Sequence, residues 1–317
     1  MSKRDFLRVD DLSAQELAAV LADAAALKTE RRTASAAGKA VIQGGLEGRT
    51  VATVFEKPSL RTRASFELAI HELGGHVMKL DNAEIGLGKR ETVQDIGRVL
   101  GSYVHGIVLR TFGHDNLERI AGATDTPVIN ALSDLEHPCQ ALADLQTLAE
   151  HHSALAGVTL AYVGDGNNVA HSLMLAGALA GMHVRIGHPA GFEPDLEVMA
   201  RAKVHAASNG GSVQALTDPI ETVRGADAVY TDVWASMGQE DEAAERATKF
   251  APFQVSQALM GHAAKDAIFL HCLPAHRDEE VAAAVIDGPR SFVFDQAENR
   301  LHAQKALLRF LLVDGER

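Results

Sequence analysis

Cysteines, aromatic residues and long apolar segments are all scarce in this sequence of 317 residues. Its two cysteines, Cys139 and Cys272, are too few and too far apart to form the disulfide framework of a secreted domain or a paired CxxC site. We therefore expect both to be free thiols in a reducing compartment. No segment approaches the roughly 20 apolar residues that a bilayer-spanning helix needs, so we expect no membrane insertion.

Basic residues are also in short supply, because 30 lysines and arginines stand against 42 acidic residues and give a formal net charge of −12. Nucleic acids and anionic membranes bind basic surfaces, so neither is expected as a partner. An anionic ligand would have to be bound by a local cluster of cations. The first residues include Asp5, Asp10 and Asp11 and no continuous apolar segment, which predicts no signal peptide and a cytoplasmic location.

The sequence does contain an alternation of short apolar segments and helical patterns. Ser13 and Glu16 have the spacing of a capping box and open a predicted helix that runs to about Lys28. Strands are predicted at residues 50–55, 76–80, 106–109 and 127–132, with helices at 60–73, 91–103 and 114–122 between them. After a long helical pattern at 138–152, strands are predicted at 158–163, 183–186, 212–216, 228–232 and 267–273, with helices at 167–180, 195–208 and after Asp218.

Strands that alternate with helices form parallel sheets with helices on both faces. The long helical pattern near residue 150 separates two such series. We therefore predict an α/β fold of two doubly wound domains, each a parallel sheet flanked by helices, at residues 1–150 and 151–300. Apolar residues at helical spacing predict a closing amphipathic helix in the stretch 297–312. In the domain division, residues 301–317 form a last segment that contains most of this helix.

The segment FEKPSLRTR, residues 55–63, ends the first strand and opens a helix. Ser59 is the expected N-cap, and the N-terminus of a helix favours anions. Arg61, Arg63 and Lys57 add positive charge, and Thr62 adds a second hydroxyl. The segment is thus suited to a phosphate dianion, because ligands of open parallel sheets bind at the carboxyl ends of the strands. A capped helix whose arginines face water is the alternative.

Further polar residues follow the next predicted strands. Arg110 follows the strand at 106–109, and the tetrad HPCQ, with His137 and Gln140 three residues apart, opens the long helix. Both side chains can face one ligand, for which a carbonyl oxygen is the natural acceptor. A structural helix cap is the alternative, and His137 with Cys139 lacks a convincing third residue for a metal site.

The second series begins with a strand followed by GDGNNVAHS, which invites comparison with the dinucleotide-binding loop GxGxxG. The match is poor, because Val169 stands where the third glycine is needed and no acidic residue follows the next strand in a suitable place. An NAD-dependent dehydrogenase stays open as an alternative.

Three more motifs lie near predicted strand ends or before the closing helix. They are Thr231 and Asp232 followed by the segment WASMGQE, the segment HCLPAHR that begins at His271, and the tripeptide ENR that ends at Arg300. His271 and Cys272 alternate across the predicted strand, which makes a shared metal ion geometrically awkward. A buried structural thiol is the alternative for Cys272.

Taken in order from about Phe6 to Leu312, these motifs resemble those of the aspartate and ornithine carbamoyltransferases. The family's phosphate motif usually has the core STRTR, whereas Leu60 occupies its second position here. The resemblance implies carbamoyl-phosphate binding by Ser59, Leu60, Arg61, Thr62, Arg110, His137, Gln140, Cys272, Leu273 and Arg300. It implies catalytic roles for Arg110, His137, Asp232, Cys272 and Arg300. It implies ornithine binding by Asn168, Asp232, Ser236 and Met237.

The activity that the resemblance implies is transfer of the carbamoyl group of carbamoyl phosphate to the δ-amine of L-ornithine, giving L-citrulline and phosphate, in arginine biosynthesis. No metal and no organic cofactor is expected. The resemblance further implies a homotrimer, or a larger assembly of trimers, and a last helix that packs back on the first domain. Loop 81–90 would reach a neighbouring subunit, although Gly86 stands where relatives usually place Gln or His. A transcarbamoylase for putrescine or acetylornithine is the alternative within the family.

Overall fold

The computed structural model describes residues 3–81, 85–235 and 240–313. The chain divides into two compact units, of which the first comprises Met1–Gln146 and Glu298–Arg317 and the second Thr147–Ala297. The chain passes from one unit to the other inside a helix at both places, at 146/147 and at 297/298. The predicted limits were residues 150 and 300.

Among the described residues, the first unit contains four strands, four whole helices, the start of a fifth helix and most of the last helix of the chain. In chain order these elements are α1 (Ala14–Ala36), β1 (Thr50–Phe55), α2 (Leu60–Glu72), β2 (His76–Asp81), α3 (Val93–Tyr103), β3 (Gly106–Arg110), α4 (His114–Ala121), β4 (Val128–Leu132) and the start of α5 (Pro138–His151). A short 3-10 helix at Val9–Asp11 precedes α1. As predicted, the Ser13 side chain accepts a hydrogen bond from the Glu16 N–H, and the Glu16 carboxylate accepts one from the Ser13 N–H. This capping box fixes the start of α1.

The sheet of the first unit is parallel throughout and has the strand order β2-β1-β3-β4. β1, β3 and β4 are mostly buried, whereas β2 at the edge of the sheet is partly exposed. The aliphatic side chains of β1, β3 and β4 pack with those of α3 and α4 in one core. The connection after β1 runs to one side of that strand and the connection after β2 runs to the other. The order of strands therefore reverses between β1 and β3, which is where parallel sheets bind ligands.

The second unit contains the rest of α5, five strands and six further helices, together with the start of the last one. Its elements are β5 (Thr159–Val163), α6 (Asn168–Leu179), β6 (His183–Gly187), α7 (Leu196–Asn209), β7 (Ser212–Leu216), α8 (Pro219–Val223), β8 (Ala228–Thr231), α9 (Ala243–Phe250), α10 (Gln257–Met260), β9 (Ile268–His271), α11 (Ala283–Ile286) and α12 (Val293–Leu312). The sheet is parallel with the order β7-β6-β5-β8-β9. Its order reverses between β5 and β8.

The last helix, α12, returns the chain to the first unit. Within that unit Lys305 is fully buried and donates hydrogen bonds to Glu72 (2.6 Å) and Gln43 (2.5 Å). Lys28 on α1 donates to Asn299 (2.6 Å). These contacts confirm that the closing helix packs on the first domain.

The predicted fold class and all nine predicted strands are confirmed, with ends that differ by three residues or fewer. The sequence prediction missed the short helices α9, α10 and α11 and the 3-10 helices at Val9–Asp11, Glu240–Glu242 and Ala251–Phe253. A helix of one or two turns buries too few apolar side chains to show a helical period in the sequence. Among the described residues, no helix is long and apolar enough to cross a membrane.

Candidate functional site

Cationic side chains gather in the first unit where the strand order reverses. β1 runs into the N-terminus of α2, and β3 ends at Arg110, whose side chain is buried. The Glu56 N–H donates to the Arg110 carbonyl (2.9 Å), so the ends of the two strands are held side by side. The site predicted from residues 55–63 and Arg110 therefore lies at one place in the fold.

The N-terminus of α2 has the predicted cap. The Ser59 hydroxyl accepts a hydrogen bond from the Thr62 N–H (3.3 Å), and Leu60 opens the helix with 81% of its side chain exposed. Arg61 is half-buried on the same turn. Arg63 differs from the sequence prediction, because its guanidinium bonds to Asp81 and lies over the Phe55 ring instead of joining the cluster.

Arg300 is the second buried cation of this site. Its guanidinium donates to the Thr62 hydroxyl (3.1 Å) and to the Gln140 carbonyl oxygen (2.6 Å). The Gln140 amide in turn donates to Asp144 (2.7 Å). One of the two amide hydrogens of Gln140 is thus used within the protein, and the other is the one it can offer to a ligand. The predicted residues Thr62, Gln140 and Arg300 form one network.

His137 lies within the same group of cations and is buried. Burial, followed by the positive charges of Arg300, Arg110 and Arg61, holds the pKa of this imidazole well below its usual range. His137 is therefore neutral at neutral pH, and it can donate one hydrogen bond but cannot supply a proton as an imidazolium. Burial also raises the pKa of the Cys139 thiol to about 12, and its sulfur donates to the Asn130 carbonyl, so Cys139 is a structural thiol.

Glu56 and Lys57 were not assigned a contact by the sequence prediction. The Glu56 carboxylate accepts hydrogen bonds from the Thr111 hydroxyl and the Phe112 N–H (3.2 Å). Lys57 lies over the Phe112 ring, with 4.0 Å from its nitrogen to the ring centroid, and burial and Arg110 lower its pKa. A carboxylate that directly follows a strand could have drawn attention to Glu56, but its partners come from a loop 55 residues away.

Asp232 is the centre of a second polar group, in the second unit. It follows β8, is buried, and accepts hydrogen bonds from the Asn167 amide (3.0 Å), the Cys272 thiol (3.0 Å) and the Val233 N–H (2.8 Å). Asn167 follows β5 and Cys272 follows β9, so three neighbouring strands contribute at their carboxyl ends. This group lies where the order of the second sheet reverses.

Asn167, which the sequence prediction did not assign to the site, makes the contact with Asp232. Its side-chain oxygen caps α6 by accepting from the N–H groups of Val169 (2.9 Å) and Ala170 (3.2 Å), while its amide nitrogen donates to Asp232. Asn168 is the first residue of α6 and is half-buried. The preference of Asn for the N-cap position was the signal in the sequence that could have identified Asn167.

The glycine loop before Asn167 has a packing role. A Cβ atom on Gly166 would lie 2.3 Å from the Pro194 nitrogen, so only glycine allows this close approach of two backbone segments. The glycine is therefore explained by packing within the protein, without a dinucleotide.

Comparison with known proteins matches each half of the chain to a domain of one family. Residues 4–150 match the carbamoyl-P binding domain of aspartate/ornithine carbamoyltransferase, and residues 156–311 match the Asp/Orn binding domain. The chain belongs to the aspartate/ornithine carbamoyltransferase family. The dehydrogenase alternative is wrong, because both halves of the chain match this family.

The relatives within the carbamoyltransferase family are similar over nearly the whole chain. The ornithine carbamoyltransferase of Parafrankia sp. (strain EAN1pec) is 55% identical over 98% of this chain and 97% of its own length. That of Acidothermus cellulolyticus is 56% identical over 98% and 96%. The solved structure of the Pyrococcus furiosus ornithine carbamoyltransferase is 50% identical, covers 99% of this chain and 98% of its own, and superposes with a TM-score of 0.93.

The predicted carbamoyltransferase site residues fall into three groups. The structure brings Ser59, Arg61, Thr62, Arg110, His137, Gln140 and Arg300 together in the first unit, with Leu60 exposed beside them. It places Asp232 and Cys272 in contact in the second unit, with Leu273 adjacent in the chain and Asn168 beside the capping Asn167. The predicted Ser236 and Met237 lie outside the described residues.

The argument that His271 and Cys272 point apart does not hold, because β9 ends at His271. Ligand atoms of Asp232, His271 and Cys272 all lie within 4.8 Å of one another. The two nitrogens of His271 are nevertheless engaged, one with the Leu273 N–H (2.9 Å) and the other with Glu280 (3.2 Å), and the Cys272 thiol donates to Asp232. This group satisfies its hydrogen bonds within the protein.

Arg246 on α9 holds the loop that carries Asp232. It is buried, donates to Asp165 (2.6 Å) and to the Trp234 carbonyl (3.0 Å), and its guanidinium lies 4.9 Å from the Phe192 ring centroid. Trp234 comes two residues after Asp232, and Asp165 lies in the glycine loop before Asn167. The ion pair therefore links the two loops that position the Asp232 group.

Replacement of Arg246 by Gln should lower the free energy of unfolding of the second unit by about 3–5 kcal/mol, because the Asp165 side chain, only 16% exposed, would lose its cation. The fluorescence of Trp234, the one tryptophan in the sequence, reports this during urea denaturation. Lys249→Gln is the matched control on the same helix, where the solvent-exposed pair with Glu245 contributes little to stability. Equal losses in the two variants would contradict the assignment.

Replacement of His137 by Asn should lower kcat by about 10²- to 10³-fold, the usual cost of one lost donor to a developing oxyanion. Because His137 is neutral, the pH profile of kcat/KM for the wild type should show no step from its protonation near pH 6.5, the ordinary value for His. The measurement is initial rates across about pH 5 to 8 for both proteins. A step near 6.5 that disappears in His137→Asn would contradict the neutral state.

Proposed function

We propose that this protein transfers the carbamoyl group of carbamoyl phosphate to the δ-amine of L-ornithine and releases L-citrulline and phosphate. The observation that carries the proposal is the cluster of Arg61, Arg110 and Arg300 around a neutral His137 at the strand reversal of the first sheet. A protein with net charge −12 concentrates positive charge there, as a phosphate ligand requires.

The phosphate of the donor would be bound at the N-terminus of α2. Ser59 is the N-cap of this helix, and Arg61 and Thr62 lie on its first turn. The unpaired backbone N–H groups of that turn and the positive end of the helix dipole both favour an anion there. Arg110 at the end of β3 would bind the phosphate from a second side. Leu60 offers only its backbone, because its side chain is apolar and exposed.

The carbonyl oxygen of the donor would be bound by His137, Gln140 and Arg300. Negative charge grows on that oxygen as the amine adds to the carbonyl carbon and the tetrahedral intermediate forms. Fixed donors held in a buried network stabilise this charge without having to reorganise. The hydrogen bonds of Arg300 to Thr62 and Gln140 hold its guanidinium in one orientation. Collapse of the intermediate then breaks the C–O bond, and the departing phosphate carries away the extra proton of the amine nitrogen.

The acceptor would be bound by the second unit. The δ-amine of ornithine, like the ε-amine of lysine, is protonated in water with a pKa of about 10, and it must lose a proton before it attacks. The buried carboxylate of Asp232 attracts the ammonium form and orients it, with the Cys272 thiol beside it. Asn168, Ser236 and Met237 are proposed to bind the amino-acid end of ornithine. Cys272 and Leu273 are also proposed to contact carbamoyl phosphate.

Ornithine is proposed as the acceptor because the relatives at 55 and 56% identity carry the name ornithine carbamoyltransferase. A citrulline assay with ornithine, acetylornithine, putrescine and aspartate in parallel tests it. We expect turnover with ornithine that exceeds the other three by orders of magnitude. Activity only with putrescine or only with acetylornithine would overturn the acceptor, and activity with none would overturn the function.

The assembly is proposed to be a cytoplasmic homotrimer, or a larger assembly of trimers, that serves arginine biosynthesis. Sedimentation velocity should give three times the chain mass of 33.8 kDa, or a multiple of that value. A monomer at micromolar concentration would contradict the trimer.

A further inference from the structure

We propose a binding site for a zinc-class divalent cation at His276, Glu279 and Glu280, on the segment between β9 and α11. This group is distinct from the Asp232 group and has no part in the proposed reaction. The three ligand atoms all lie within 4.8 Å of one another. His276 and Glu279 are exposed, and the Glu280 side chain is fully buried.

The distances in this group suit a small tetrahedral ion. The His276 Nδ1 atom lies 3.7 Å from a Glu279 carboxylate oxygen and 3.8 Å from Glu280 Oε2. Bonds of about 2.0–2.2 Å to Zn²⁺ place neighbouring tetrahedral ligands about 3.4 Å apart. A shift of a few tenths of an ångström would bring each carboxylate oxygen to that distance from the His276 nitrogen, and the two carboxylate oxygens lie within 4.8 Å of each other. The exposed side leaves room for water as the fourth ligand.

The buried carboxylate gives independent support for a cation. Glu280 Oε1 accepts hydrogen bonds from the His276 N–H (2.5 Å) and from His271 (3.2 Å). Glu280 Oε2 is also buried, has no hydrogen-bond partner among the described residues, and faces the His276 ring. A buried carboxylate oxygen without a donor is costly, and a bound cation would remove that cost.

The turn that carries the three ligands is already formed. The Glu279 N–H donates to the His276 carbonyl (3.1 Å), and the Gln254 side chain donates to the carbonyls of Asp278 (2.9 Å) and Glu279 (2.8 Å). Asp278 has the left-handed conformation, with φ of 67°. The ion would thus bind a preformed turn and would not have to order a flexible one.

The choice of ion follows from the ligands. An imidazole with two carboxylates favours zinc and neighbouring transition metals, whereas magnesium and calcium prefer oxygen ligands alone. The Leu273 N–H donates to His271 Nδ1, so the proton of that imidazole is on Nε2 and is donated to Glu280. His271 thereby orients the buried ligand in the way that outer hydrogen bonds orient metal-binding carboxylates.

Calorimetric titration of the chelator-treated full-length protein with zinc chloride tests the site. We expect one saturable site per chain, with affinity at least tenfold weaker in His276→Gln and in Glu279→Gln. Both replaced side chains are exposed, so these variants should fold, and circular dichroism checks it. His262→Gln is the matched control for an exposed histidine elsewhere in the second unit, and its affinity should equal that of the wild type.

Cys272→Ser separates this site from the Asp232 group. Zinc affinity should be unchanged in Cys272→Ser, and anomalous scattering at the zinc edge should place the ion beside the His276 ring. Loss of binding in Cys272→Ser with retention in His276→Gln would overturn the proposal, as would the absence of saturable binding in the wild type. None of these measurements depends on the carbamoyltransferase activity, so the two proposals can fail separately.

Discussion

Replacing Asp232 by alanine should lower kcat/KM for ornithine by about 10²- to 10⁴-fold. The carboxylate is buried and is held by Asn167, Cys272 and the Val233 N–H, so it is fixed before any amine arrives. Removing one partner of a buried charge pair costs about 3–5 kcal/mol, and each 1.36 kcal/mol is a factor of ten in rate. The measurement is the initial rate of citrulline formation at varied ornithine and saturating carbamoyl phosphate.

Asp232→Asn is the matched control, because its amide keeps the shape and one hydrogen-bond acceptor but removes the charge. If the charge attracts and orients the substrate ammonium, Asp232→Asn should show most of the loss seen in Asp232→Ala. The affinity for carbamoyl phosphate, measured by calorimetry, should change by less than about threefold in both variants. Equal losses for the two substrates would contradict the assignment of Asp232 to the acceptor.

Replacing Arg61 by glutamine should weaken carbamoyl-phosphate binding by about 10²- to 10⁴-fold. Hydrogen bonds to charged groups contribute about 1.5–3 kcal/mol each, and an arginine can donate two to one phosphate. Arg61 is half-buried and lies close enough to His137 to lower its pKa, which places it with the other cations of the cluster. Calorimetric titration with carbamoyl phosphate, and with inorganic phosphate as a stable substitute, measures the effect.

Arg63→Gln is the matched control on the same helix. Its guanidinium is bonded to Asp81 and stacked over Phe55, so its removal should change phosphate affinity by less than about threefold. Undiminished phosphate binding in Arg61→Gln would contradict the proposed anion site. A larger loss in Arg63→Gln than in Arg61→Gln would show that the segment binds phosphate with its other face.

The sequence predicted the fold well because each strand is a short apolar segment bounded by polar residues. The nine strands and the longer helices each bury enough apolar surface to produce a period, and their alternation allows few topologies. The start of α12 at Val293 was placed four residues too late, because its first turn contains the exposed Phe294 and the buried Gln296. Polar residues that are buried and apolar residues that are exposed reverse the usual pattern.

The sequence predicted site residues better than it predicted their partners. Arg110 and Asp232 could be found because each stands at the end of a predicted strand. The contacts of Glu56, Asn167 and Arg246 could not, because they join residues 55, 65 and 81 positions apart. Such pairs depend on which strands are neighbours in a sheet. The hydrophobic pattern of a single segment does not predict the order of parallel strands.

The return of α12 to the first unit has a consequence for biosynthesis on the ribosome. Glu72 and Lys28 are buried by partners on α12, yet 151 residues, from Thr147 to Ala297, are translated between the two parts of their unit. At about 5–20 residues per second, the nascent unit waits about 8–30 s for its last helix. A chain released before Glu298 would lack Lys305 and Asn299, the α12 partners of Glu72 and Lys28, and would leave Glu72 with Arg31 as its remaining cation. We expect such a chain to expose the apolar surface that α12 covers, and so to depend on chaperones more than the finished protein does.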